Sequence, residues 1–127
     1  MRDLYSNIGA VLALAPAVKT AAGDGVAIDT YGFVSVAFVV NTGAVAGAGD
    51  FGVKLQESDA SGSGFTDVAA AQVRSNAPAT LAASSSYKLG YLGFKRYVRL
   101  ALTTAGGTSI AAGAVAILSD AQKRPVA

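Results

Sequence analysis

The chain contains no cysteine, no histidine and no tryptophan. Without thiols there is no disulfide, no thiolate nucleophile and no thiolate metal site. Without imidazole, the side chain that most often serves as general base or metal ligand is also missing. Charge is scarce: 14% of the 127 residues are charged, and 10 Lys and Arg against 8 acids leave a net +2. That excess is too slight to draw nucleic acid by itself, because phosphate binding takes a concentrated basic face, so no nucleic-acid partner is expected. Long apolar runs are lacking too. The longest candidate, IGAVLALAPAV at residues 8–18, falls well short of the roughly 20 residues that span a bilayer, and no membrane partner is expected. With Arg2 ahead of it, this run resembles the apolar part of a signal peptide. Asp3 in the would-be positive region, Pro16 inside the run and the lack of a clean small-x-small site in AVKTAAGDG argue instead for an N-terminal arm that packs in the mature protein.

What is present is small and apolar. Hydrophobic residues make up 52% of the chain, supplied by alanine and valine more than by leucine or aromatics, with 15 glycines beside them. The length suits one domain, and the composition predicts a thin core of closely laid small side chains. Period-two alternation dominates, and helical periodicity is hard to find. In FVSVAFVV, residues 33–40, both parities are largely apolar, with Val34, Val36, Phe38 and Val40 on one face, which predicts a central strand buried on both sides. In FGVKLQES, residues 51–58, Phe51, Val53 and Leu55 oppose Gly52, Lys54 and Gln56, a strand with one wet face. DASGSG then turns the chain, and FTDVAAAQV is expected to return as the second strand of a hairpin. Residues 74–86, with Pro78 and many small polar side chains, read as a long surface connection.

GFKRYVRLALT, residues 93–103, predicts a strand with Val98, Leu100 and Leu102 inward and Tyr97, Arg99 and Ala101 outward. TTAGGTS turns, and IAAGAVAIL, residues 110–118, makes the last strand. Residues 11–19 and 26–30 add edge strands, Pro16 being tolerable only at an edge or bulge. The expected fold is all-β: a single-domain antiparallel β-sandwich, jelly-roll or immunoglobulin-like, over residues 20–127, with an extended N-terminal arm over 1–19.

No constellation predicts catalysis, a metal or a cofactor, and no enzymatic activity is expected. Asp50, Glu57, Asp59 and Asp67 gather around one hairpin, but their spacing departs from a calcium loop and they read as solvated turn residues. A glycosidase pair among them lacks neighbouring sugar platforms. GAVAGAG and TAGGTS lack the lysine of a phosphate-binding loop and are turns. The strongest signal is Lys88, Lys95, Arg96 and Arg99, a stretch free of acids and interleaved with Tyr87, Tyr91, Phe94 and Tyr97. Arginine and aromatics are enriched at protein interfaces because they bury area while keeping a polar handle. The alternatives are a solvated strand face with tyrosines covering the core edge, and stacking on single-stranded nucleic acid. Candidate interface residues are therefore Arg2, Leu4, Tyr5 and Ile8 in the arm, and Lys88, Tyr91, Lys95, Arg96, Tyr97 and Arg99. Arg96 shares the parity of Val98, so its other reading is an internal pair with a carboxylate such as Glu57 or Asp67.

MRDLYSNIGAVLAL, VKLQESDASGSGFTDVAA and YKLGYLGFKRYVRLALT together resemble small virion proteins encoded among the head genes of tailed bacteriophages and prophages. The resemblance extends over most of the chain. The QES strand end, the Gly/Ser turn, FTDV and the later RYVRL are also similar to a wider group of β-sandwich virion and lectin-like modules. Within phage heads the chain looks like a decoration, or cement, protein. That resemblance implies attachment to the major capsid protein on the outside of an HK97-type head, a homotrimer at threefold lattice positions, synthesis in the host bacterial cytoplasm, and no cofactor. A neck or tail component, or a carbohydrate-binding sandwich module, is the alternative it leaves open.

Overall fold

In the computed structural model, which describes residues 3–122, the period-two stretches become strands. They are β1 (Ile8–Lys19), β2 (Gly23–Asp24), β3 (Ile28–Asp29), β4 (Ser35–Ala46), β5 (Asp50–Ser58), β6 (Thr66–Asp67), β7 (Val73–Ser75), β8 (Ser86–Tyr91), β9 (Tyr97–Gly106) and β10 (Ser109–Ser119). Single 3-10 turns at Tyr5–Asn7 and Ala70–Gln72 are the helical elements among the described residues.

The pairings nest. β1 pairs β10, β2 and β3 pair β9, β4 pairs β8 and β5 pairs β6, all antiparallel. Rolled so that β10 also pairs β4 and β9 also pairs β5, this ribbon becomes two sheets, β1-β10-β4-β8-β7 and β2-β9-β5-β6, with β3 following β2 along β9. The expected antiparallel sandwich is present, and its nested order is that of a jelly roll.

The interior lies between the sheets. Val36, Phe38 and Val40 of β4 meet Leu55 of β5 and Val98 and Leu100 of β9, with Ala114, Ala116 and Leu118 of β10 filling the same layer. Phe51, Leu81, Leu102, Ile110 and Ala112 form a second cluster toward one end. The alanines of β10 let the layers approach, as the composition predicts, while phenylalanine and leucine from the facing strands fill the volume. Val98, Leu100 and Leu102 point inward as expected.

Several expectations are corrected. The edge strand expected over residues 11–19 is present and starts earlier, so the arm assigned to residues 1–19 is sheet from Ile8 onward: β1 runs along β10, and Ala13 and Leu14 are buried in the core. An apolar segment with a free neighbouring edge gains more by pairing than by extending into solvent. Pro16 lies at an edge, within the second of the two register shifts that interrupt β1 opposite β10, between Leu14 and Ala17, where a missing amide is tolerated. Val34, expected inward with Val36, precedes β4 and is exposed. Residues 65–73 are not one strand. β6 is two residues long, and the Ala70–Gln72 turn carries the chain across to β7 in the other sheet. The connection after β7 is anchored by Leu81, which is buried and donates its amide to the Phe51 carbonyl at 2.8 Å.

The edge of the roll is partly sealed at Gly25. Its amide donates to the Leu100 carbonyl at 2.6 Å, and the next amide, of Val26, donates to Ala13 at 2.7 Å, so the chain threads between β9 and β1 and links the sheets. A Cβ at position 25 would overlap the Ala13 and Leu100 carbonyl oxygens, which is why glycine stands there.

Candidate functional site

The registers bring two distant sequence regions to one end of the sandwich. Ile8 pairs Ser119, which pairs Ser35; Val36 pairs Tyr91; Ser58 pairs Tyr97, which pairs Asp29. Leu4, Tyr5 and Ile8 therefore share an end with Tyr91, Lys95, Arg96 and Tyr97. Arg99 stands further along β9, and Lys88 lies on the outer face of the other sheet opposite Val39. Arg2 lies outside the described residues.

At this end Arg96 is a clamp. Its Nε and Nη2 each lie 2.8 Å from a carboxylate oxygen of Asp29, a two-pronged pair. Its guanidinium lies 5.0 Å from the Tyr31 ring centre and 5.2 Å from that of Tyr97. Thr30 donates its amide and hydroxyl to the Arg96 carbonyl, and the Tyr31 amide donates to Asp29. Arg96 holds the Asp29 carboxyl below the usual carboxylate range. The partner is thus Asp29 rather than Glu57 or Asp67, and the side chain is half-exposed rather than internal, because β9 only begins at Tyr97 and Arg96 lies in the loop before it.

Tyr91 ties the two sheets together. Its hydroxyl, reaching from β8, donates to Glu57 of β5 at 2.6 Å and accepts the Lys95 amide at 3.0 Å. Burial first, and Glu57 second, push the phenol up to about 12. Glu57 shares the inward parity of Val53 and Leu55, so its alternation would drive a carboxylate into the interior, and Tyr91 supplies the hydrogen bond it needs there. Lys95 reaches Asp59 at 2.8 Å, which raises its pKa, and lies 5.5 Å from the Phe94 ring centre.

Arg99 crosses the outer face of β9. It donates to Gln56 at 2.8 Å, meets Asp24 at 3.3 Å and packs on Phe65, 4.2 Å from the ring centre. Lys95, Arg96 and Arg99 are each matched to a carboxylate, so this stretch presents rings and balanced pairs rather than open positive charge. The four acids weighed as a calcium loop are likewise separately engaged, by Thr80, Tyr91, Lys95 and Lys54. Among the described residues no group of three potential ligands could hold a metal ion.

Around these pairs stand exposed apolar groups: Tyr5 at 85%, Phe94 at 81%, Val34 at 78% and Tyr31 at 74% of full exposure. A groove of about 190 Å³ runs between Phe33, Val34, Tyr91, Phe94 and Lys95. Tyr31, Val34 and Asp29 were not legible as site residues, since nothing local links residues 29–34 to residues 94–97; the link is the pairing of β3 with β9. No helix among the described residues is long and apolar enough to cross a membrane. No family model matches the sequence, and no curated protein matches it either.

Proposed function

We propose that this protein is a structural component of a tailed-phage virion, a decoration protein that docks on the major capsid protein at the outer surface of an HK97-type head. The observation that carries the reading is the exposed apolar end, where Tyr5, Tyr31, Val34 and Phe94 stand out from charges that are already paired. Large rings around desolvatable, balanced pairs are the composition of a protein contact. The sequence resemblance supplies the kind of partner. The jelly-roll order is shared with viral and lectin domains alike, so it supports the reading only by analogy of fold.

The test is co-sedimentation of the purified chain with phage heads that lack it. Phe94→Ser combined with Tyr31→Ser should weaken binding at least tenfold while far-UV circular dichroism stays that of the intact chain. Deleting residues 1–7 should weaken binding as well and leave β1 in place. Intact protein that ignores heads, or variants that bind as tightly as the parent, would overturn the proposal. Exposed rings also favour a second reading, a sugar-binding module; binding to immobilised glycans but not to heads would select it.

A further inference from the structure

The outer face of the first sheet is a part of the surface that the proposed function leaves unused. On β10, Ala112, Ala114, Ala116 and Leu118 are buried, so the alternate residues Ala111, Val115 and Ile117 face outward, half-buried, while Gly113 between them is covered by Pro16. Ile117 stands between Ala10 and Ala37, and Val115 between Leu12 and Val39. Across β1, β10 and β4 the only charged residue is Lys19, the last of β1. A sandwich has no third layer to cover such a face, and uncharged, mainly apolar surface of this kind, interrupted on β4 by Asn41, marks a contact.

Its shape and borders indicate what covers it. Leu12 and Val18 of β1 form a ridge, exposed by 53% and 66%, beside a groove of about 610 Å³ floored by β10. Each copy therefore carries both a ridge and a groove. The sheet cannot easily be extended by an added strand, because Pro16 and the register shifts interrupt β1, Val26 already occupies the Ala13 carbonyl, and the opposite edge, β7, is three residues long with Arg74 on it. Contact has to be face to face. A partner of marked charge would find nothing to pair with, whereas a second uncharged face buries no unmatched ion.

We propose that a second copy of this chain covers the outer face of β1, β10 and β4, about a two-fold axis running along β10. That axis sets β1 of each copy over β4 of the other. It leaves Lys88 and Arg74 beyond the overlap, where water still reaches them. Three strands ~4.8 Å apart and about twelve residues long at ~3.3 Å give a footprint of roughly 550 Å² per copy. The total of about 1,100 Å² clears the roughly 1,000 Å² that a specific interface needs. The homotrimer implied by the resemblance requires two different surfaces on each subunit, whereas a face that matches itself closes with two copies.

This pairing does not depend on what the exposed end binds, so failure to attach to heads leaves it standing. Sedimentation equilibrium of the intact chain at roughly 1 to 100 μM decides it. The expected result is a dimer whose dissociation constant rises at least 100-fold in Leu12→Lys and is unchanged in Val34→Lys, at the other surface. Val18→Lys, at the rim of the sheet, gives the same result if Leu12→Lys fails to fold. A monomer or a trimer throughout, or a dimer that tolerates both β1 substitutions, overturns the proposal.

Discussion

The two sheets share one interior but have opposite exteriors. On the second sheet, Lys54 meets Asp67 at 3.0 Å, Gln56 donates to Asp67, and Arg99 reaches from Gln56 to Asp24, so polar side chains cross the face from β6 to β2. On the first sheet, the corresponding outward positions of β10 are alanine, glycine, valine and isoleucine. Polar alternation turns up where a strand's second face meets water. Apolar residues on both parities in a two-layer fold leave one parity without a layer to cover it. The high apolar content of this chain is therefore only partly core, and the surplus is divided between the outer face of the first sheet and the end that carries Tyr5, Tyr31, Val34 and Phe94.

The largest test of that contrast is its limit, the shared interior. Phe38→Ala on the first sheet and Phe51→Ala on the second should each cost about 3–5 kcal/mol in chemical denaturation, since both side chains are fully buried. A cost confined to one of them would mean that the sheets differ inside as well as outside.

Next is the tie between the sheets. Tyr91→Phe leaves Glu57 and the Lys95 amide without their partner and should cost about 1–2 kcal/mol. Its pH dependence has a definite sign. The folded phenol is raised to about 12 from 10.0, so the wild-type contribution is fully present below pH 10.0 and is lost as pH rises toward 12. Tyrosinate absorbance should show a step near pH 12 that Tyr91→Phe removes. A variant with the same alkaline titration and stability as the parent would mean that the tie is not formed.

The smallest effect belongs to the charged exterior. Arg96→Gln should lower the Tm by roughly 3 °C or less, because a half-exposed pair is screened by solvent. Asp29 has a depressed folded pKa, so its pairing stabilises above the ordinary carboxylate value near 3.8 and fades as pH falls below it. Wild type and Arg96→Gln should converge in thermal melts at acid pH and at high salt. A gap that persists under both conditions would mean that Arg96 acts through packing on Tyr31 and Tyr97 instead.

Much of this was legible from local pattern. The alternation of VKLQES and of YVRLAL placed β5 and β9 and their inward residues correctly, and Pro16 was tolerable only at the edge or bulge it occupies. The inward parity of Glu57 was readable as well, though not the phenol that meets it. Strand character and facing follow from a period of two residues, which side-chain geometry enforces within each strand. Only the tertiary structure decided the jelly-roll order, the pairing of Arg96 with Asp29 across 66 intervening residues, the neighbour that the edge strand expected over residues 11–19 found in β10, and which apolar parity was left uncovered. Those outcomes depend on which strands become neighbours. A period of two makes one face apolar, but only the partner sheet determines whether that face is buried.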